Sequence, residues 1–331
     1  MRVLVGLPTH NNVSSGYSIR NTLDGLASQT NRDFEVLLAY KPSPGDDTLG
    51  ILDEYRSRMN IEVAVQRDGF IEEAWNTILG ASGGHDLLLT VDDDAVPGPG
   101  WIQEYVNLFQ DHANLGIASF HGTSHRNLLL DRAKRLFGYQ VPLLPVFKEY
   151  ADYINDMGFM VLARRLEPGL VLSIGLAGCT MGVRLSLVGP FELPCVTVRG
   201  IAWETALALH VIKQGGHSAL TKSGRVSHLD RDSLARPKSL LGVYGVGIER
   251  PILLYSVNRQ QPINIRRLRR YAPFASLYGQ LDHATLSVAF VEGLTIARDA
   301  VEEEWEPSRV RRAIEESTSA FAARHHLAND I

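Results

Sequence analysis

The 331-residue chain is 45% hydrophobic with a formal net charge of -4, which suits one large domain with its own core plus an appendage. That charge gives no basic footprint for nucleic acid, and the two cysteines, Cys179 and Cys195, are too few for a disulfide scaffold or a thiolate metal site. The opening RVLVGLP enters a strand pattern at once, without a charged region, apolar core and cleavage site, so a reducing, cytoplasmic location is expected.

Short apolar runs then alternate with amphipathic segments, the pattern of an α/β fold with a mostly parallel sheet and helices on both faces. The predicted strands are Val3 to Leu7, Phe34 to Tyr40, Ile61 to Val65, Asp86 to Val91 and Leu115 to Phe120. Ile19, Leu23 and Leu26 recur at helical spacing behind a cap at Ser14 or Ser15. Further helices are predicted at Thr48 to Met59, at Ile71 to Ala81 and from about Trp101. Such sheets bind ligands beyond the carboxyl ends of their strands, which gathers Pro8 to Asn12, Tyr40 to Asp47 and Asp92 to Asp94 at one rim.

The most informative run is HDLLLTVDDDAVP, His85 to Pro97, where a buried strand ends in three carboxylates. In extended chain Asp92 and Asp94 project to one side and Asp93 to the other. Two aligned carboxylates repel in a low-dielectric cleft, and a divalent cation, Mg2+ or Mn2+, relieves the repulsion. The plainer alternative is an acidic turn that caps the following helix.

Between His121 and Arg165 no period is readable, as in a lid or an acceptor-binding insertion. Pro168 to Val183 is uncharged but broken by glycines and too short to span a membrane, so it reads as buried strands and turns. A helix from Ala202 to Gln214, stopped by Gly215 and Gly216, precedes strands through Ala219 and Val226. From Lys238 the pattern is helical, and a boundary near Asp232 divides a domain 1-232 from a helical extension 233-331. In that extension Arg266, Arg267, Arg269 and Arg270 lie near apolar Pro251 to Val257, which raises peripheral membrane contact. The acidic run Glu302 to Glu304 dilutes that signal and favours a helical cap packed on the catalytic domain or on another subunit of a homo-oligomer.

Four blocks in order, VLVGLPTHNN, GFIEEAWNTILGASGGHDLLLTVDDD, GIAWETALALHVIKQGG and GRVSHLD, resemble family 2 glycosyltransferases of the GT-A (Rossmann-like) fold over Met1 to Asp232. The resemblance implies an inverting, metal-assisted hexosyltransferase of polysaccharide or glycan biosynthesis. It would move sugar from a nucleotide-diphosphate donor to a hydroxyl of a glycan or lipid-linked acceptor. By the same resemblance Asp92, Asp94 and His228 hold Mn2+ or Mg2+, and Glu204 is the general base with Trp203 at the acceptor. Pro8, Thr9, His10, Asn11, Tyr40, Lys41, Asp68, Asn76, Asp92, Asp93 and Arg231 would contact the nucleotide sugar.

The chain departs from the family pattern in two places. Trp203-Glu204 stands where the family has a Glu-Asp pair, and Tyr40-Lys41 stands where an aspartate usually reads the base. A tyrosine can stack on a base or hydrogen-bond to it, so both UDP- and GDP-linked donors stay open. Structural readings stand beside the functional ones: Glu204 as a first-turn helix residue, Asp46, Asp47 and Asp68 as helix caps, His228 as a loop histidine and Arg231 as a surface arginine. Two other classes remain. One is a degenerate nucleotide- or glycan-binding module. The other is a sugar-phosphate nucleotidyltransferase, against which GLPTHNNVSSG lacks a glycine-rich basic phosphate loop. His121, His125 and Arg126 match no firm metal spacing.

Overall fold

The computed structural model describes residues 1-66, 69-120, 141-162, 169-229, 239-257, 263-270 and 281-327. In chain order the elements begin β1 (Val3–His10), α1 (Ile19–Ala27), β2 (Phe34–Lys41), α2 (Thr48–Asp53), β3 (Asn60–Val65), α3 (Ile71–Ala81), β4 (Leu87–Val91) and β5 (Ala95–Pro97). There follow α4 (Trp101–Asp111), β6 (Leu115–Phe120), β7 (Asp152–Ile154), β8 (Met160–Leu162), β9 (Val171–Leu172) and β10 (Thr180–Arg184). The last are α5 (Trp203–Lys213), β11 (His217–Thr221), β12 (Val226–His228), α6 (Leu240–Val257), α7 (Leu281–Glu302) and α8 (Pro307–Arg324). They fall into two compact units. One comprises Met1–Ser124, Arg164–Leu193 and Leu207–Asp230, the other His125–Ala163, Pro194–Ala206 and Arg231–Ile331. The second unit thus takes in more than the extension expected after Asp232, because two earlier segments fold with it.

The first unit is built on a sheet of order β3-β2-β1-β4-β10-β6-β11-β9. Side chains alternate across a strand, so Val3, Val5 and Leu7 share one buried face with Val36, Leu38, Leu87, Leu89 and Val91. The apolar stripe of α1 (Ile19, Leu23, Leu26) and that of α4 (Trp101, Ile102, Tyr105) belong to the same core. In α3, Trp75 and Ile78 close on Gly6, where an added Cβ would sit 2.8 Å from Ile78 Cγ2. Glycine there lets helix and strand approach, and an alanine would cost about 1 to 3 kcal/mol in overpacking.

The sheet is mixed rather than mostly parallel at its centre. Strand β10 runs antiparallel between β4 and β6, pairing Thr180 with Val91 and Met181 with Ser119. An apolar run carries no mark of strand direction, so the sequence pattern of 168-183 could not show this. Two local expectations also shift. Helix α1 starts after Ser18, while the hydroxyls of Ser14 and Ser15 donate to the carbonyls of Asn11 and Asn12 in the preceding turn. Helix α2 stops at Asp53, and Tyr55 to Met59 continue as turns, with Arg58 N–H donating to Tyr55 O at 2.8 Å.

In the second unit, β7 and β8 pair antiparallel, and α6, α7 and α8 enclose Tyr244, Ile248, Ile252, Ala289, Ile314 and Phe321. Glycines allow the close approach of α6 and α7, since a Cβ on Gly247 would meet Ala289 Cβ at 2.6 Å. Among the described residues α6 is the one helix long and apolar enough to cross a membrane, and 61% of that window is buried inside the protein. Of the basic cluster, Arg267 is drawn inward to Asp156, with Nη1 2.8 Å from Oδ2.

Candidate functional site

A polar network ties the carboxyl ends of β1, β2 and β4 into one rim. Thr9 Oγ1–H donates to Asp93 Oδ2 at 2.6 Å, and Asn12 Nδ2 donates to Thr9 Oγ1 at 2.8 Å and to Thr48 Oγ1 at 2.7 Å. Thr48 N–H in turn donates to Asp46 Oδ1 at 2.9 Å. Ser18 Oγ–H reaches the Asp93 carbonyl at 3.0 Å from the turn before α1. Because Thr9 and Asn12 are buried, these bonds fix the acidic turn from beneath.

His228 arrives from far along the chain. Strand β12 pairs antiparallel with β5, setting His228 opposite Ala95, directly after the acidic run. The loop before it is pinned to α4: Gly224 N–H donates to Glu104 Oε2 at 2.6 Å, and Thr180 Oγ1–H donates to the Gly224 carbonyl at 2.7 Å. Gly224 has φ +79°, and a Cβ there would strike the Tyr105 ring at 2.3 Å, so glycine is needed for conformation and for space.

At the rim, His228 Nε2 lies 3.4 Å from Asp94 Oδ1 and 3.9 Å from Asp92 Oδ2. Its Nδ1–H donates to the Leu229 carbonyl at 3.0 Å, which leaves Nε2 to face the carboxylates. The nearby Asp92 carboxylate is the main cause that raises the imidazole to about 9, with partial burial opposing and the charge of Asp94 adding. Cys179 joins them: Asp92, Cys179 and His228 each place a ligand atom within 4.8 Å of the others. Carboxylate, thiol and imidazole converging at that spacing fit a divalent transition metal.

Cys179 is the residue that sequence reading set aside. It precedes β10, and the register Thr180 to Val91 carries it to the end of β4 beside Asp92. Only that antiparallel pairing reveals it, and no spacing along the chain encodes it.

Residues 4-164 match the family described as Glycosyl transferase family 2. The chain carries a family 2 glycosyltransferase domain. Solved structures of similar fold include S. aureus TarS 1-349 in complex with UDP-GlcNAc, at 15% identity over 92% of each chain and TM-score 0.49. The mannosyltransferase PcManGT from Pyrobaculum calidifontis, in complex with GDP-Man and Mn2+, is 15% identical over 97% of this chain and 80% of its own, with TM-score 0.48. Glucosyl-3-phosphoglycerate synthase from Mycobacterium tuberculosis, in complex with Mg2+ and UDP, is 17% identical over 77% and 78%, with TM-score 0.44. Comparison with curated protein sequences gives no match. The family match ends before Glu204 and His228, which rest on the block resemblance and, for His228, on the geometry above.

The remaining expected site residues of this glycosyltransferase are distributed unevenly. His10 and Asn11 are exposed at the end of β1, whereas Pro8 and Thr9 are buried, so only the former pair opens to solvent. Tyr40 is 3% exposed and packs in the core, which corrects the expectation that its ring stacks on a base. Burial, then the neighbouring Asp46 carboxylate, raise its phenol above the usual range. Lys41 Nζ donates to the Gly69 carbonyl at 2.7 Å and lies over the Phe70 ring.

Asn76 brackets the backbone of Leu193, donating to its carbonyl at 2.8 Å and accepting from its N–H at 2.7 Å. It lines a cavity of about 1030 Å³ together with Met1, His85, Asp86 and Arg184, at the amino ends of β1 and β4. Its amide is therefore structural and stands at the wrong end of the sheet for the nucleotide. Asp46 Oδ1 accepts the N–H of Thr48, the first residue of α2, at 2.9 Å, while the N-cap residue itself is Asp47, whose side chain makes no capping bond. Trp203 is buried and Glu204 half-buried in the first turn of α5, both within the second unit. Asp68 and Arg231, with His121, His125 and Arg126, lie outside the described residues.

Proposed function

We propose that this protein is an inverting hexosyltransferase that uses a UDP- or GDP-linked sugar and a divalent metal, with a glycan or lipid-linked hydroxyl as acceptor. The observation that carries the reading is the convergence of Asp92, Cys179 and His228 within 4.8 Å at the carboxyl end of β4, a strand of the segment that matches family 2. Asp92, Asp94, Cys179 and His228 would hold the cation, which when bound screens the diphosphate charge that grows as the leaving group departs. The thiol and imidazole favour Mn2+ over Mg2+, because both are softer than an all-oxygen set.

The chain's own groups divide the remaining work. Asp93, tied to Thr9, holds the turn so that its neighbours keep their aim. His10 and Asn11 are the exposed residues of the β1 rim that can meet the nucleotide. With the Tyr40 ring in the core, Lys41 is the β2 residue that can reach a base, through the donors its bond to Gly69 leaves over. Glu204 accepts the proton of the acceptor hydroxyl as that oxygen attacks the anomeric carbon, and Trp203 supplies the apolar wall of the acceptor subsite.

Calorimetric binding of UDP and GDP to the full chain, with and without Mn2+, tests this reading. Metal-dependent binding of one nucleotide by wild type, weakened in Asp94→Ala, is the expected result and names the base. Absence of nucleotide binding under either condition overturns it and leaves a degenerate module.

A further inference from the structure

Within the second unit, a buried carboxylate holds the turn that leads into α5. Glu249 lies in the middle of α6 and is fully buried. Its Oε1 is 2.7 Å from Arg199 Nη1, and its Oε2 accepts the Arg199 backbone N–H at 2.9 Å. One side chain thus grips another residue by both its guanidinium and its main chain. The opposing α6 backbone is cut away to admit the guanidinium, for a Cβ on Gly245 would sit 2.6 Å from Arg199 Cζ.

The rest of the turn is held as firmly. Arg311 Nε of α8 donates to the Thr197 carbonyl at 2.9 Å, and Gly200 N–H donates to Thr197 Oγ1 at 3.0 Å. The chain then passes through φ +69° at both Gly200 and Ala202 before Trp203. At Ala202 that conformation is unfavourable for an L residue and persists only where surrounding contacts impose it. The first helical bond, Ala206 N–H to the Ala202 carbonyl at 2.9 Å, starts from that same strained residue.

We infer that Glu249 is a positioning residue for the transfer reaction: through Arg199 it fixes the turn 197-202 and so the direction in which α5 presents Glu204. The inference rests on the reading of Glu204 as the base. It gives the C-terminal helices a task in catalysis that family resemblance did not assign them. A buried ion pair often adds little net stability compared with an apolar replacement, so what this one contributes is the conformation it imposes.

The test uses the full chain and three variants. Glu249→Gln keeps shape but removes charge, Glu249→Asp keeps charge, and Gly245→Ala displaces the guanidinium while leaving the ion pair's chemistry intact. Amide exchange at 197-206 is measured beside nucleoside diphosphate release from UDP-glucose and GDP-mannose. The expected result is faster exchange at 197-206 in Glu249→Gln and Gly245→Ala. With it, kcat for diphosphate release falls about 10- to 100-fold while donor KM stays within about twofold, and Glu249→Asp restores part of the rate. Unchanged exchange, or unchanged kcat in both variants, overturns the inference. No release by wild type from any donor overturns the transferase reading instead, and exchange alone then decides whether Glu249 holds the turn.

Discussion

The acidic rim of the first unit and the turn before Glu204 in the second are both held by side-chain bonds, yet by opposite means. Neutral hydroxyls and an amide brace the rim from below: Thr9, Asn12, Ser18 and Thr48 bond to the acidic turn and its neighbours. The carboxylates of Asp92 and Asp94 face a titratable imidazole. The turn is braced by a full charge, Glu249, consumed on the spot by Arg199. A site that must receive a cation keeps its charge accessible, whereas a support that must not move buries its charge against a partner.

The strongest way to break this contrast is at Glu204 itself. Glu204→Gln should slow transfer about 10²- to 10⁴-fold, the usual reach of a general base, while donor binding by calorimetry stays intact. Equal turnover by that variant removes Glu204 from the mechanism. At the rim, Asp94→Ala should weaken Mn2+-dependent nucleotide binding about 10- to 100-fold without altering the fold by circular dichroism.

A pH series separates the two regions further. With the imidazole at about 9, metal must displace a proton, so apparent Mn2+ affinity should rise by up to about tenfold per pH unit from pH 7 toward 9. Metal-free stability should move the other way. A raised pKa stabilises fully below the unfolded value of 6.5, and that contribution is lost as pH climbs through about 9. Denaturation midpoints of the metal-free protein, measured across the same range, check the sign. A rise over that window would show that His228 is not protonated as its neighbours suggest. The smallest effect is expected at Asn76. Asn76→Ala should cost about 1 to 2 kcal/mol by releasing Leu193, with nucleotide affinity unchanged, and a loss of nucleotide binding would return Asn76 to the donor site.

What the sequence made legible follows from where period and chemistry coincide. Strands β1, β2, β4 and β6 are short, nearly continuous apolar runs, and helices α1 and α3 repeat apolar residues at helical spacing, so their places could be read directly. The three aspartates at the end of β4 were legible for the same reason. The direction of β10 was not, because the side chains of a strand do not record which way its neighbours run, and with it went Cys179. Tyr40 misled in a different way. Its identity suggested a base-stacking ring, but it falls on the inward phase of β2 beside Val36 and Leu38, and phase outranks residue type in a strand. Neither Glu249 nor Arg199 stood out, since a charged residue within an apolar helix is read as surface until its partner is found.

The position of β10 also governs when the rim can exist. Met181 N–H reaches Thr90 Oγ1 across 91 positions of sequence, and until that return is made the edge of β4 stands open. A ribosome must therefore deliver much of the chain before Cys179 or His228 can meet the aspartates. In that interval the unpaired edge is a target for wrong association. On the proposed function, metal and nucleotide would bind and protect only the finished sheet, so they would reward the completed fold and give no help to the half-made one.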